Sequence, residues 1–272
     1  MDTDRDFYAS RFGNAQTLSW HNRRLGRLVD PLFDARLALG GGKRRLRESR
    51  GNLPQMSVLI AGVSVPGREN DIGAVATNLG RSDHRIDTSI VSMGDRGKFE
   101  NINRAIADRD LERYDWLIVT DDDITTPAGL LDECLFLATK LNLKIFQPAH
   151  RFHSFCTYRV TQRHWSALAR QTCFVESGPL VGFHRTTFES LLPFPDIRWA
   201  WGMDVYWSAL ACAIGWDIGI IDGVAIRHKR RIGRSYGQVL AIEQARAFLD
   251  RRRIEHRRQN FLRTVRSIYD ID

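Results

Sequence analysis

The sequence predicts an α/β fold: a mainly parallel sheet sandwiched by helices, with helical additions at both ends. Three observations carry this. Short apolar, β-branched runs alternate with stretches of helical periodicity between residue 56 and about residue 146, as parallel strands joined by crossover helices do. The third run, Trp116-Leu117-Ile118-Val119-Thr120, leads straight into Asp121-Asp122-Asp123, and ligand-binding groups of such sheets gather at the carboxyl ends of strands. With 272 residues, 43% hydrophobic and 26% charged, the chain can bury a sizeable core.

Taken in order, residues 1–50 are polar and Arg-rich. Leu25, Leu28, Val29, Leu32, Phe33, Leu37 and Leu39 recur at roughly helical spacing before Gly40-Gly41-Gly42 breaks the pattern; an appended helix and then a linker are expected. Met56 to Val65 is a buried strand closed by Pro66-Gly67. A helix follows to about Ser82, then a strand at about Ile86 to Ser92, a helix over Gly97 to Asp108, and the strand that ends in aspartates. Thr125-Thr126-Pro127 predicts a helix start, with a hydroxyl cap and proline in the first turn. Leu143 to Phe146 is a further strand. Beyond residue 150 the alternation loosens: Cys173 to Val175, Leu180 to Phe183 and Ile218 to Ile221 are short apolar runs, and Trp207 to Ile214 is a buried helix. The main domain is placed at 51–236, between the extension at 1–50 and a basic helical tail at 237–272.

The formal charge of +8 is unevenly placed. Residues 227–272 hold thirteen Lys and Arg against five acids, leaving 27 of each sign in the first 226 residues. The body is therefore no polyanion-binding surface, which makes nucleic acid an unfavoured partner. Cys134, Cys156, Cys173 and Cys212 are too scattered for a disulfide framework or a structural zinc site. Met1-Asp2-Thr3-Asp4-Arg5-Asp6 lacks the basic and apolar regions of a signal peptide, and Trp207 to Ile221, interrupted by Asp217, is too short to span a bilayer. A reducing, cytoplasmic location is expected, with peripheral membrane contact through the arginines.

Consecutive aspartates on a loop at the binding edge call for a cation, because leaving them desolvated and unpaired costs several kcal/mol. Asp121 and Asp123 point to the same side of an extended segment. Both can hold a divalent ion, or one can bind it while the other meets a sugar hydroxyl. The triplet can also simply cap the helix expected near Thr126.

The surrounding segments add context. Gly97-Lys98-Phe99-Glu100-Asn101-Ile102-Asn103-Arg104-Ala105-Ile106, a strand, and then Thr120-Asp121-Asp122-Asp123 resemble the segment that precedes the D-x-D motif in glycosyltransferases of the A-type (GT-A) fold. The resemblance is closest to the large inverting family that includes cellulose and hyaluronan synthases. It continues in order through Ser177-Gly178-Pro179-Leu180-Val181-Gly182-Phe183-His184-Arg185, Leu192-Pro193-Phe194 and Trp201-Gly202-Met203-Asp204, and spans roughly residues 56–234. Trp199 to Gly202 with Ile226 to His228 also resemble the W-x-W-G and I-R-H segments of galactosyltransferases of the same fold.

The resemblance implies Mn(II) or Mg(II) on Asp123 and His228, with Asp121 on the metal or the ribose, and Asp204 as the base for an acceptor hydroxyl. It places Lys98 and Asn103 near the nucleotide and Ser64 to Arg68 beside its base. Asp122 and Arg231 join the donor side. Two departures stand out: Met203 replaces the usual glutamate, and Ala225 stands where some galactosyltransferases carry a metal-binding methionine. Trp199 and Trp201, alternating about Ala200 just ahead of Asp204, are expected to wall an acceptor site, with Glu176 as a further polar group.

The reading is thus a metal-dependent glycosyltransferase, inverting through its aspartate base, with a nucleotide-diphosphate sugar as donor and a sugar or lipid-linked acceptor. A nucleotidyltransferase ranks second, since the first strand lacks a G-G-x-G-x-R loop. A non-catalytic relative that binds anionic surfaces or nucleic acid through its arginines is the third reading. Arg227, Lys229, Arg230, Arg231 and Arg234 are expected to form a loop closing over the diphosphate, with Gly233 and Gly237 as hinges.

Overall fold

The computed structural model describes residues 20–51, 53–165, 167–230, 238–255 and 262–270. The polypeptide opens with α1 (Trp20–Leu39) and α2 (Gly42–Arg50). It continues through β1 (Ser57–Ser64), α3 (Glu69–Leu79), β2 (Arg85–Ser92), α4 (Lys98–Ile106), β3 (Trp116–Thr120) and the two-residue β4 (Ile124–Thr125). Next come α5 (Leu130–Lys140), β5 (Leu143–His150), β6 (Ala169–Thr172), β7 (Leu180–His184) and the short α6 (Phe188–Leu191). The last elements are α7 (Met203–Ile214), β8 (Asp217–His228), α8 (Gln238–Arg251) and β9 (Thr264–Ile268).

The strands form one sheet in the order β2-β1-β3-β7-β5-β8-β6-β9, with β4 paired to the end of β8. β1 is parallel to β2 and β3, and β5 to β8; β7 is antiparallel to both its neighbours, as is β6. Following these pairings, every strand on the path except β6 and β7 runs the same way. The fold is the expected α/β sandwich around a mainly parallel sheet.

Alternation within the central strands divides the core between the two faces. Leu59, Ala61 and Val63 of β1 and Leu117 and Val119 of β3 pack with Phe99 and Ile102 of α4, Val205 and Trp207 of α7, and Phe248 of α8. Val58, Ile60, Trp116 and Ile118 point the other way, toward Leu46 of α2, Leu79 of α3 and Leu135 of α5. Both faces are covered, so β1 and β3 are buried along almost their whole length. At the sheet edge, β2 leaves five of its eight positions exposed and buries none of them fully.

Three sequence expectations need correcting. The segment after Gly40-Gly41 is helix α2 rather than linker, because Leu46 finds a fully buried place in the core. The helix expected at Thr126 starts at Leu130, after Gly129 in the left-handed region. Thr125 is instead drawn into pairing with Arg227, and the Thr126 carbonyl and hydroxyl accept from Asn78 Nδ2. The apolar run Cys173 to Val175 is itself outside any strand and follows directly on β6, Ala169–Thr172. The C-terminal segment ends in a strand, β9, hydrogen-bonded to β6. No helix among the described residues is long and apolar enough to cross a membrane.

Candidate active site

Because β1, β3, β5 and β8 run parallel, their carboxyl ends Ser64, Thr120, His150 and His228 share one edge. β7 runs the other way, so the residues before it, Glu176 to Gly178, come to the same edge. Two backbone contacts set the aspartate loop. Asp121 N–H donates to Pro179 O at 2.7 Å, and Lys229 N–H donates to Asp123 O at 2.8 Å. With Ile124 opposite His228 in the β4–β8 ladder, His228 Nε2 stands 3.0 Å from Asp123 Oδ1.

Asp121, Asp123 and His228 each present a ligand atom, and these atoms lie within 4.8 Å of one another. Two carboxylates and an imidazole are hard and borderline donors that suit Mn(II) or Mg(II). The buried Nδ1 of His228 has no hydrogen-bond partner among the described residues, an orphan of the kind a bound ion or water relieves. The residues therefore fit a divalent metal.

Cations hold the triplet from the other side. Lys98 Nζ is 2.6 Å from Asp121 Oδ1 and donates to Ser177 O at 3.1 Å; Arg68 is 3.2 Å from Asp122 Oδ2. Lys98 is the first residue of α4, and the preceding turn is so close to the Arg198 backbone that a Cβ on Gly97 would lie 2.0 Å from Arg198 O. Burial raises the Asp122 carboxyl despite Arg68, with Asp123 and Asp121 adding to the rise. Burial also acts on Asp123, but His228 and Arg230 outweigh it and hold that carboxyl low. For His228 burial disfavours the charged ring, yet Asp123, Asp121 and Glu176 raise its pKa overall.

Asp204 is the second residue of α7 and is buried. Burial pushes its carboxyl up to about 7, against the Val205 N–H that donates to Oδ1 at 2.9 Å, while the charge of Glu176 pushes it further up. Glu176 is buried too, meeting His150 Nε2 at 3.1 Å and the Thr161 hydroxyl at 3.3 Å. Its own N–H donates to Gln147 Oε1 at 2.7 Å. His150 Nδ1 lies 3.1 Å from Ser154 Oγ, which accepts from His228 N–H at 2.8 Å. A buried polar chain thus links Glu176, through His150 and Ser154, to the metal-site strand end. Gln147, His150, Ser154 and Thr161 are not among the residues singled out from the sequence; the available signal is Gln147 and His150 closely following the apolar run Ile145-Phe146, in a strand whose other polar residue is the half-buried Lys144.

The remaining predicted residues are less concentrated. Ser64 closes β1 at the shared edge, where its carbonyl accepts from Met93 N–H at 2.9 Å. Asn103 stands apart from the carboxylates: its side chain donates to Phe194 O at 2.7 Å and accepts from Phe194 N–H at 2.8 Å. It lines a separate cavity of about 720 Å³ with Arg96, Arg104, Leu192 and Pro193. Trp199 and Trp201 are half-buried in the turn before α7, next to α8, whose Gln244 side chain accepts from Trp199 N–H at 3.2 Å. Arg231, Gly233, Arg234 and Gly237 lie outside the described residues. Arg230, next to them, pairs with Asp71 at 3.2 Å.

No protein-family model and no curated protein matches the chain. Solved structures do. One is GalNAc-T7 with UDP, GalNAc and Mn2+, at 10% identity and a TM-score of 0.46, over 66% of this chain and 44% of the other. This chain thus spans under half the length of that protein. Another is the catalytic domain of Drosophila beta1,4-galactosyltransferase 7 in complex with xylobiose, at 12% identity and a TM-score of 0.45, over 70% of this chain and 79% of the other.

Proposed function

We propose that the protein is a metal-dependent glycosyltransferase that moves a sugar from a nucleotide-diphosphate donor to an acceptor hydroxyl with inversion. The observation that carries this is the convergence of Asp121, Asp123 and His228 on one edge, with Lys98 and Arg68 beside them and a buried carboxylate, Asp204, within electrostatic reach of Glu176 at that edge.

Transfer breaks the bond between the anomeric carbon and a diphosphate oxygen while negative charge develops on the leaving group. Asp121, Asp123 and His228 would hold a divalent ion, which would supply charge stabilisation to that diphosphate. Lys98 and Arg68 are the cationic side chains placed to assist it. On the acceptor side Asp204 takes the hydroxyl proton as the oxygen attacks the anomeric carbon. A carboxyl near pH 7 is matched to that task at neutral pH, and a positioned base is worth roughly 10²- to 10⁴-fold in rate. Glu176, held by His150 and Thr161, is the charge that acts on Asp204 and raises its carboxyl. Trp199 and Trp201 form the acceptor wall, where sugar rings stack on indole faces.

The test is a set of nucleotide diphosphates and nucleotide sugars screened by thermal shift with and without Mn(II), followed by hydrolysis of whichever donor binds. A metal-dependent shift and slow donor hydrolysis are expected. Asp123→Ala abolishes the metal-dependent shift, whereas Asp204→Asn keeps donor binding and loses transfer. A folded protein that binds no nucleotide in the presence of Mn(II) ends this reading, and full transfer by Asp204→Asn removes Asp204 as the base.

A further inference from the structure

Helix α1 presents two opposite faces. Its inward face is fastened to the loop after β5. Gly26 approaches so closely that a Cβ there would lie 2.6 Å from His153 N. Asp30 accepts from the Phe152 and His153 N–H groups at 3.0 and 3.2 Å, and Arg163 meets Asp34 at 3.0 Å. Phe33 and Leu37 are buried along the same face. The other face carries Leu25, Leu28, Leu32 and Leu39, which are 60%, 71%, 61% and 89% exposed. At 100° per residue these fall in one row, roughly opposite Gly26, Asp30, Phe33 and Leu37. An exposed apolar row of this kind, continuous along one helix face, marks an interaction surface.

Charge decides what covers it. Arg27 and Arg47 are exposed, and the Arg36 guanidinium lies 5.0 Å from the ring of Trp165, itself 44% exposed and edge-on to Phe33. The acids of the hairpin are engaged away from Arg27 and Arg47: Asp30 is buried, Asp34 is taken by Arg151 and Arg163, and Glu48 faces Arg44. A leucine row bordered by arginines and a tryptophan has the character of a helix lying in the plane of an anionic bilayer. The same heptad spacing suits a coiled coil, but a second copy would bring like charges together.

We propose that α1, with Trp165, is a docking face for anionic lipid membrane. The loop that holds α1 also abuts the candidate active site, since Phe155 N–H donates to His228 O at 3.1 Å. This face is independent of the glycosyl-transfer reading, because partition into lipid needs neither donor nor metal.

The full chain is sedimented with vesicles of phosphatidylcholine, with and without phosphatidylglycerol, at low and raised salt. Binding to the anionic vesicles alone, weakened by salt, is expected. Leu28→Glu/Leu32→Glu should lower it at least about tenfold, since two leucines are withdrawn from apolar surroundings and replaced by charges that anionic lipid repels, with an unchanged melting temperature. Arg251→Glu/Arg253→Glu, in the basic tail, should leave binding within about twofold. Wild-type binding by the leucine variant overturns the proposal, as does loss of binding in the tail variant alone. A wild-type dimer that the leucine variant converts to monomer overturns it in favour of a second copy.

Discussion

Burial lifts the Asp204 carboxyl from the usual 3.8 to about 7, so its chemistry and the stability of the fold depend on pH in opposite senses. Between these values the folded state holds a proton that the unfolded state has released, and stability falls as pH rises through that window. The accumulated cost above about pH 7 is on the order of 4 kcal/mol. Asp204→Asn cannot ionise and keeps an oxygen for the Val205 N–H. In metal-free protein its melting temperature should exceed the wild type's by a margin that is small near about pH 5 and grows toward about pH 8; an equal margin at both refutes the assignment. Asp204 and the aspartate triplet were legible in the sequence because they sit at element ends within ordered motifs. Gln147, His150 and Thr161 were not, since nothing local marks a buried polar side chain as facing Glu176 rather than a structural partner.

At the scale of elements, the sequence carried β1, β3, α4 and α7 nearly to their ends, because each buries an apolar run or stripe whose period is visible. It failed where pairing rather than composition makes the element. β6 reads Ala-Arg-Gln-Thr, with no hydrophobic signal, and is a strand because Arg170 reaches the buried Asp222 of β8 at 2.8 Å and its backbone lies between β8 and β9. β4 exists only through the end of β8, and that pairing overrides the helix-start signal of Thr125-Thr126-Pro127. α2 is mostly Arg, Lys and Glu, and its place depends on Leu46, which is fully buried against the face that carries α5. Leu46→Ala should therefore cost about 2–5 kcal/mol, the range for a core leucine truncated to alanine. Denaturant unfolding measures this, and a loss under about 0.5 kcal/mol would mean that α2 is a surface appendage after all.

Across the whole molecule the Asp121–Asp123 triplet is met by cationic and imidazole side chains from segments far apart in sequence, and metal binding should report on that union through global stability. Without metal the cluster relies on protons and cations: His228 pairs with Asp123, Lys98 with Asp121, and Arg68 with Asp122. The His228 pKa is raised above 6.5, so the stability from its protonated form is fully present below about pH 6.5 and is lost as pH climbs through the raised value. A metal ion needs the neutral ring and must displace that proton. The metal-free protein thus weakens toward alkaline pH in the same range where the metal competes best. Saturating Mn(II) should raise the melting temperature by mass action, and the rise should be larger at about pH 8 than at about pH 6. Near neutral pH, titration calorimetry in buffers of different ionisation enthalpy should register proton release on binding. Asp123→Ala should show neither effect. A melting shift independent of pH, with no proton released, would place the metal on the carboxylates without His228.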